Sequence, residues 1–163
     1  MKSTIGLLFV AVALAFFAIG RSTASNSASL SEKTMFNLSA AMHAEAFAHA
    51  KYLLYGQHAR QAGNKELADL FEQTAKVERF QHFAEEAQLA GLVGSDADNL
   101  KNAIEGESYE VETMYLEFTH EATAAGDKAA AARFEEIRHD EMTHRDAFQA
   151  ALKNLGTKTA QSH

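Results

Sequence analysis

The chain has 163 residues with no Cys, Pro or Trp, and its formal net charge is −7. This length is enough for one domain with its own core, and the lack of Cys excludes disulfides and every metal site that needs a thiolate. The acidic balance argues against nucleic-acid binding, which requires a basic surface. Because Pro is missing while Ala, Glu, Leu, Lys and Gln are plentiful, the composition predicts long uninterrupted helices and an all-α fold.

The N-terminus has the features of a targeting segment. Lys2 is followed by an uncharged apolar run over residues 5–20 and then by small residues of the kind that a signal peptidase reads. We predict a cleaved signal peptide over residues 1–24, and hence a periplasmic or extracellular protein. A retained membrane anchor is the alternative, although the run is shorter than the roughly 20 residues of a spanning helix. Residues 25–32 are rich in Ser and Asn and predict a flexible tether.

Apolar residues then recur at helical spacing in four segments. They predict helices over residues 33–62, 65–90, 97–125 and 128–155. The glycines that follow them as helix stops are Gly63, Gly91, Gly126 and Gly156. Residues 33–156 are therefore predicted to form one four-helix domain, and residues 157–163 a loose tail.

The second half of this domain nearly repeats the first. At an offset of 62 residues the matching pairs are Asn37 with Asn99, Glu45 with Glu107 and His58 with His120. After a one-residue slip two further pairs match at an offset of 63, Phe71 with Phe134 and Glu78 with Glu141. A duplicated helical hairpin is an ordinary way to build a four-helix bundle, so we predict a bundle made of two repeated hairpins.

Each of the four helices carries a Glu within its apolar stripe, at a similar distance from the hairpin turn. These residues are Glu45, Glu78, Glu107 and Glu141. An unpaired buried carboxylate is costly, so convergence of four at one depth predicts a bound cation. Glu110 lies one turn beyond Glu107, and His144 lies three residues after Glu141. Carboxylates with imidazole suit two iron ions, with manganese as the alternative.

The motifs around these residues resemble the rubrerythrin branch of the ferritin-like di-iron proteins, over roughly residues 38–155. The motifs are Phe71-Glu72-Gln73-Thr74-Ala75 leading to Glu78, Glu105-Gly106-Glu107 with Glu110, Met114-Tyr115, and Glu141-Met142-Thr143-His144. The resemblance implies a ferritin-like bundle that holds a non-haem di-iron centre and reduces hydrogen peroxide. The metal ligands that it implies are Glu45, Glu78, Glu107, Glu110, Glu141 and His144. It also places Tyr52 and Tyr115 beside the metals, so Glu110, Tyr52 and Tyr115 are the candidate catalytic residues.

Two features depart from the family pattern. The family has Glu-x-x-His on the second helix, whereas here Gln81 stands at the His position and His82 follows it. His82 is four residues from Glu78, and this spacing shares a helix face, so either Gln81 or His82 takes the ligand role. The second departure is the missing rubredoxin-like module with its Cys ligands, so a separate electron donor is required.

Three functions are compatible with these observations. The first is a peroxide-reducing di-iron oxidoreductase with an external electron donor. The second is a ferritin-like protein that binds ferrous iron, or oxidises it with oxygen. The third is a non-catalytic interaction module, which the intact ligands Glu107, Glu110, Glu141 and His144 argue against.

The link between the second and third helices bears on assembly. Parallel helices of this length would put the two ends about 40 Å apart, and the few residues from 92 to 96 span only about 15–20 Å. The chain therefore forms an up-down-up-down bundle, or its second hairpin swaps into a partner so that each site uses two chains. Because some rubrerythrin-like proteins swap in this way, the resemblance favours a homodimer.

Overall fold

The computed structural model describes residues 30–160, and these residues form four long helices. The first helix is Glu32–Gln61. The second consists of Lys65–Val77, a π-helical turn Glu78–Phe83, and Ala84–Ala90. The third consists of Asp96–Tyr109, a π-helical turn Glu110–Met114, and Tyr115–Ala125. The fourth is Lys128–Ala160.

Local sequence signals account for the helix ends. The side chains of Ser31, Asn64 and Ser95 each accept a hydrogen bond from a backbone N–H in the first turn that follows, which satisfies a donor without a partner inside the helix. Gly63 and Gly126 end the first and third helices with φ angles of 79° and 86°, a conformation that side chains with a Cβ rarely adopt. The predicted all-α fold with two repeated hairpins is therefore confirmed.

The end of the fourth helix is corrected. The helix continues through Gly156 to Ala160, so the predicted stop at Gly156 is wrong, and residues 157–160 of the predicted loose tail are helical. Glycine inside a helix costs only about 1 kcal/mol relative to alanine, and the residues around it propagate the helix. The predicted signal peptide, residues 25–29 of the predicted tether, and residues 161–163 lie outside the described residues.

Each hairpin packs only on itself. The first helix contacts the second along its length, and the fourth contacts the third, but within residues 30–160 no contact joins one hairpin to the other. The buried apolar residues are mostly alanines at the helix–helix contact of each hairpin, such as Ala59, Ala68 and Ala75. Large side chains stay in solvent, including Leu70, which is 59% exposed. A single chain therefore leaves a large apolar surface uncovered on each hairpin.

The π turn of the third helix explains the slip in the internal repeat. A π turn contains one residue more than an α turn. Glu45 and Tyr52 are seven residues apart on the first helix, whereas Glu107 and Tyr115 are eight apart on the third. Because Glu110–Met114 lies between the latter two, the structural offset changes from 62 to 63 across it, and the match of His58 with His120 at 62 does not join structurally equivalent positions. The slip is thus an extra residue taken up within the helix.

Candidate metal centre

The first hairpin brings two carboxylates and an imidazole together. Glu45 on the first helix and Glu78 and His82 on the second offer ligand atoms that all lie within 4.8 Å of one another. Nδ1 of His82 is 2.8 Å from Oε2 of Glu78 and 3.7 Å from Oε2 of Glu45. The two carboxylates are largely shielded, and the imidazole is half exposed. We call these three residues the first half-site.

The second hairpin repeats this arrangement. Glu107 on the third helix and Glu141 and His144 on the fourth also offer ligand atoms within 4.8 Å of one another. Nδ1 of His144 lies 2.7 Å from Oε2 of Glu141. We call these three residues the second half-site. Glu110 lies at the start of the π turn that follows Glu107, close enough to Glu141 to respond to its charge.

The π turn of the second helix explains how His82 takes the place expected for residue 81. Glu78 and Glu141 correspond at an offset of 63, whereas His82 and His144 differ by 62. The π turn Glu78–Phe83 adds one residue between Glu78 and His82. Four residues on the second helix therefore cover the same rotation as three on the fourth, and the two His–Glu contacts match. Gln81 is exposed and belongs to neither half-site.

Burial and neighbouring carboxylates raise the pKa values of three of these residues, Glu45, Glu107 and Glu110. A hydrogen bond with Glu78 raises the pKa of Glu45, with burial and the charge of Glu78 adding to the effect. Burial raises the pKa of Glu107, and its hydrogen bond with Glu141 raises it further. Burial and the charge of Glu141 raise the pKa of Glu110. Negative charges are therefore concentrated beyond what the protein groups alone neutralise.

A divalent cation fits these donors. Oε2 of Glu107 is buried and has no hydrogen-bond partner among the described residues, which is costly for a carboxylate oxygen unless a cation or donor approaches it. A hydrogen bond with Glu141 raises the pKa of His144, so the imidazole holds its proton more tightly in the metal-free protein. Carboxylate oxygens with one imidazole per half-site match the preferences of iron and manganese.

The two candidate tyrosines occupy matching aromatic groups, one in each hairpin. The ring of Tyr52 stacks on Phe71 at a centroid distance of 6.1 Å, and Tyr115 lies 6.3 Å from Phe134. Burial raises the pKa of Tyr115, and the charges of Glu110, Glu141 and Glu107 raise it further. Tyr115 therefore lies within electrostatic reach of the second half-site.

Sequence reasoning missed Glu86. It lies in the second helix four residues beyond His82, and its Oε2 atom is buried without a hydrogen-bond partner among the described residues. Its charge contributes to the raised pKa of Glu45. The signal in the sequence was the four-residue spacing of Glu78, His82 and Glu86, which places them along one helix face.

Comparisons with known proteins decide the family. A family model described as Rubrerythrin matches residues 80–152. The chain is 31% identical to the rubrerythrin of Porphyromonas gingivalis over 149 residues, which cover 84% of this chain and 74% of that protein. The chain belongs to the rubrerythrin family. It is also 31% identical to the nigerythrin of Nitratidesulfovibrio vulgaris, over 75% of this chain and 67% of that protein.

Among solved structures the chain is similar to the fully reduced, all-ferrous state of nigerythrin, at 30% sequence identity with a TM-score of 0.40, over 82% of this chain and 72% of that one. Rubrerythrins are ferritin-like oxidoreductases that bind a di-iron centre, and this chain has two carboxylate–histidine groups suited to one. Membership of this family confirms the fold class and the iron cofactor predicted from the sequence.

The predicted location is corrected. Rubrerythrin relatives are cytoplasmic proteins, so the prediction of an exported protein, with membrane anchoring as its alternative, is wrong. None of the helices within residues 30–160 combines the length and apolar character that crossing a bilayer needs.

Proposed function

We propose that the protein is a non-haem di-iron oxidoreductase that reduces hydrogen peroxide to water with electrons from a separate donor. The observation that carries this proposal is the matched pair of half-sites, each with two carboxylates and one imidazole in the same relation. Together with Glu110 they supply the ligand set that the family pattern implies. The 163 residues contain no Cys, so they hold no iron–thiolate group that could deliver electrons.

The residues have separable roles in this reaction. Glu45, Glu78, Glu107, Glu110, Glu141, His82 and His144 hold two iron ions, which supply electrons for cleavage of the O–O bond when they are bound. Reduction of peroxide to two waters also consumes two protons. Glu110 and Tyr115 both have a raised pKa and lie beside the second half-site, so they are suited to hold a proton there. Tyr52 occupies the corresponding position on the first hairpin.

The experiment is metal analysis of the purified domain, followed by anaerobic mixing of the ferrous form with peroxide and, separately, with oxygen. We expect about two iron ions per site, the stoichiometry of di-iron carboxylate bundles, and faster oxidation by peroxide than by oxygen. Well under one ion per chain after reconstitution would refute the di-iron proposal. Faster oxidation by oxygen would favour the second candidate, a protein that binds or oxidises ferrous iron without a dedicated donor.

We further propose that a complete site forms between two chains. The two half-sites of one chain lie on hairpins that do not contact each other, whereas the family ligand set requires both. Each hairpin also exposes apolar surface, including Leu70 on the first and Phe118 on the second. A swapped homodimer, in which the first hairpin of one chain packs on the second hairpin of its partner, covers this surface and unites the half-sites.

Two apolar hollows support this arrangement. One of about 440 Å³ lies near the turn of the first hairpin and is lined by Leu67 and Phe71. The other, of about 640 Å³, lies near the open end of the second hairpin and is lined by Leu100 and Phe148. When two hairpins meet with their turns at opposite ends, both hollows lie on the same side of the carboxylates and face each other. An up-down-up-down bundle would place them at opposite ends.

Complementation between inactive chains tests the swap. In a heterodimer of Glu45→Ala with Glu141→Ala, a swapped assembly contains one site built from two intact hairpins. We therefore expect co-refolding of equal amounts of the two variants to restore about a quarter of the wild-type metal content, because random pairing makes about half of the dimers heterodimers and each of these has one intact site out of two. Each variant refolded alone should stay empty. Co-refolded material that binds no more metal than the separate variants would overturn the swapped arrangement.

A further inference from the structure

The second helix carries an acidic residue beyond the ligands that the family pattern supplies. Glu86 lies four residues after His82, which in turn lies four residues after Glu78. The first interval crosses the π turn and the second is α-helical. A spacing of four keeps side chains on one face in an α-helix, and the extra residue of the π turn preserves this alignment between Glu78 and His82. All three side chains therefore follow one face of the second helix.

Glu86 is unusual because its charge has no visible compensation. Its Oε2 atom is buried and has no hydrogen-bond partner, and the ion pairs formed among residues 30–160 do not include it. Its carboxylate is close enough to Glu45 to raise the pKa of that residue. A buried, unpaired carboxylate oxygen is costly, so its presence here calls for a positive ion or a proton donor.

The internal repeat shows that this carboxylate belongs to the first hairpin alone. In the register that pairs His82 with His144, Glu86 corresponds to Phe148. Phe148 lines the apolar hollow of the second hairpin and offers no ligand atom. The second hairpin instead gains its extra carboxylate from Glu110, at its own π turn. Each hairpin thus has one carboxylate in addition to its half-site, Glu86 on the first hairpin and Glu110 on the second. Both lie close to a π turn, but they occupy positions that do not correspond in the repeat.

We propose that Glu86 is an additional metal ligand of the first half-site, binding a divalent cation such as Fe²⁺ together with Glu45 and His82. This inference rests on the metal centre of the proposed function and deepens it. Two carboxylates and one imidazole are a donor set that ferrous iron accepts. The unpaired oxygen of Glu86 gains a positive partner, and the first iron position becomes more acidic than the family pattern implies.

Metal titration of the full chain under anaerobic conditions tests the proposal. The probes are Fe²⁺ and, as a redox-inert control, Co²⁺, with binding measured by calorimetry and by metal content after desalting. We expect Glu86→Gln to weaken the binding of one of the two ions by about tenfold or more, which corresponds to about 1.4 kcal/mol. The matched control is Glu85→Gln, which removes the same charge at the exposed neighbouring position and should leave both affinities unchanged.

Three outcomes would overturn the proposal: unchanged affinities in Glu86→Gln, an equal loss in Glu85→Gln, or unchanged affinities in Glu86→Asp. Glu86→Asp keeps the charge but moves the carboxylate oxygens back by one methylene. A ligand role therefore predicts weaker metal binding in this variant, whereas a purely electrostatic role predicts unchanged binding. This variant also serves if Glu86→Gln does not fold. If wild-type protein binds two ions with the expected affinity and these variants do as well, this inference alone fails. If wild-type protein binds no iron, the proposed function fails first.

Discussion

Nδ1 of His82 lies 2.8 Å from Oε2 of Glu78, and this contact reproduces the 2.7 Å contact between His144 and Glu141. The two pairs reach the same geometry through different spacings, four residues on the second helix and three on the fourth. The π turn Glu78–Phe83 takes up the difference. The π turn thus brings the imidazole of His82, rather than the side chain of Gln81, beside the two carboxylates of the first half-site.

Substitution of His82 should remove metal far more effectively than substitution of Gln81. We expect His82→Ala to lose at least one of the two ions, because the imidazole contacts both carboxylates of the first half-site. Gln81→Ala should keep wild-type metal content, since Gln81 is exposed and outside the half-site. Metal analysis of both variants after identical reconstitution is the measurement. Loss of metal in Gln81→Ala with retention in His82→Ala would reverse the assignment.

The metal-free protein should lose stability as pH rises from 5 to 8. The pKa values of Glu45, Glu107 and Glu110 are raised in the fold, so the stability that their protonated forms contribute is fully present below the unfolded value of about 4.3 and is lost as pH rises through the raised values. His144, whose pKa is also raised, acts in the same direction above about 6.5.

At lower pH the stability of the metal-free protein should instead decrease as the pH falls. Hydrogen bonds from Lys65 and Ser95 hold the pKa values of Asp69 and Asp98 below their usual range, so the stability from these groups is lost as pH falls through the lowered values. Thermal melts of chelator-treated protein across pH 3–8 should therefore peak at an intermediate pH, between the window of the lowered pKa values and that of the raised ones. Metal-loaded protein should lack the decline toward pH 8, because bound cations stabilise the ionised carboxylates. A metal-free melting temperature that rises toward pH 8 would contradict this.

Neutralising one buried carboxylate should separate stability from metal binding. We expect Glu107→Gln to abolish metal binding at the second half-site while raising the melting temperature of the metal-free protein at pH 8, by no more than about 2–4 °C. The reason is that Oε2 of Glu107 is buried without a partner, and an amide does not repel Glu141. Glu105→Gln, at an exposed position two residues away, is the control and should change neither property. A lower melting temperature in metal-free Glu107→Gln would count against this account.

His49 should stabilise the contact between the first and second helices next to the first half-site, without binding metal. Its Nδ1 donates to the carbonyl oxygen of Ala75 at 2.7 Å, which joins the first helix to the second just before the π turn. We expect His49→Ala to lower the free energy of unfolding by about 1 kcal/mol, the usual net value of such a hydrogen bond. The control is His43→Ala, since His43 makes a contact of the same length to Ser39 within its own helix. Equal losses in denaturant titrations of the two variants would show that the interhelical bond is unimportant.

The chemistry of the site was accessible from the sequence, because it depends on residue type and helical spacing. Glu45, Glu78, Glu107 and Glu141 were expected at one depth, and they meet in pairs together with His82 and His144. The choice between Gln81 and His82 was not accessible, because apolar periodicity does not report whether a helix contains a π turn. Glu86 was not predicted, because the burial of its Oε2 atom and the lack of a hydrogen-bond partner are visible only in the structure.

The sequence by itself determined the four helices, their turns and the carboxylate–histidine chemistry, because capping residues, turn glycines and apolar repeats act over a few neighbouring residues. The exception was the end of the fourth helix, where Gly156 proved too weak a stop. Only the tertiary structure decided that each hairpin packs on itself, so that each hairpin carries one of the two groups of candidate ligands. Which apolar faces meet depends on contacts between residues far apart in the chain, and helical periodicity marks a face as apolar without naming its partner.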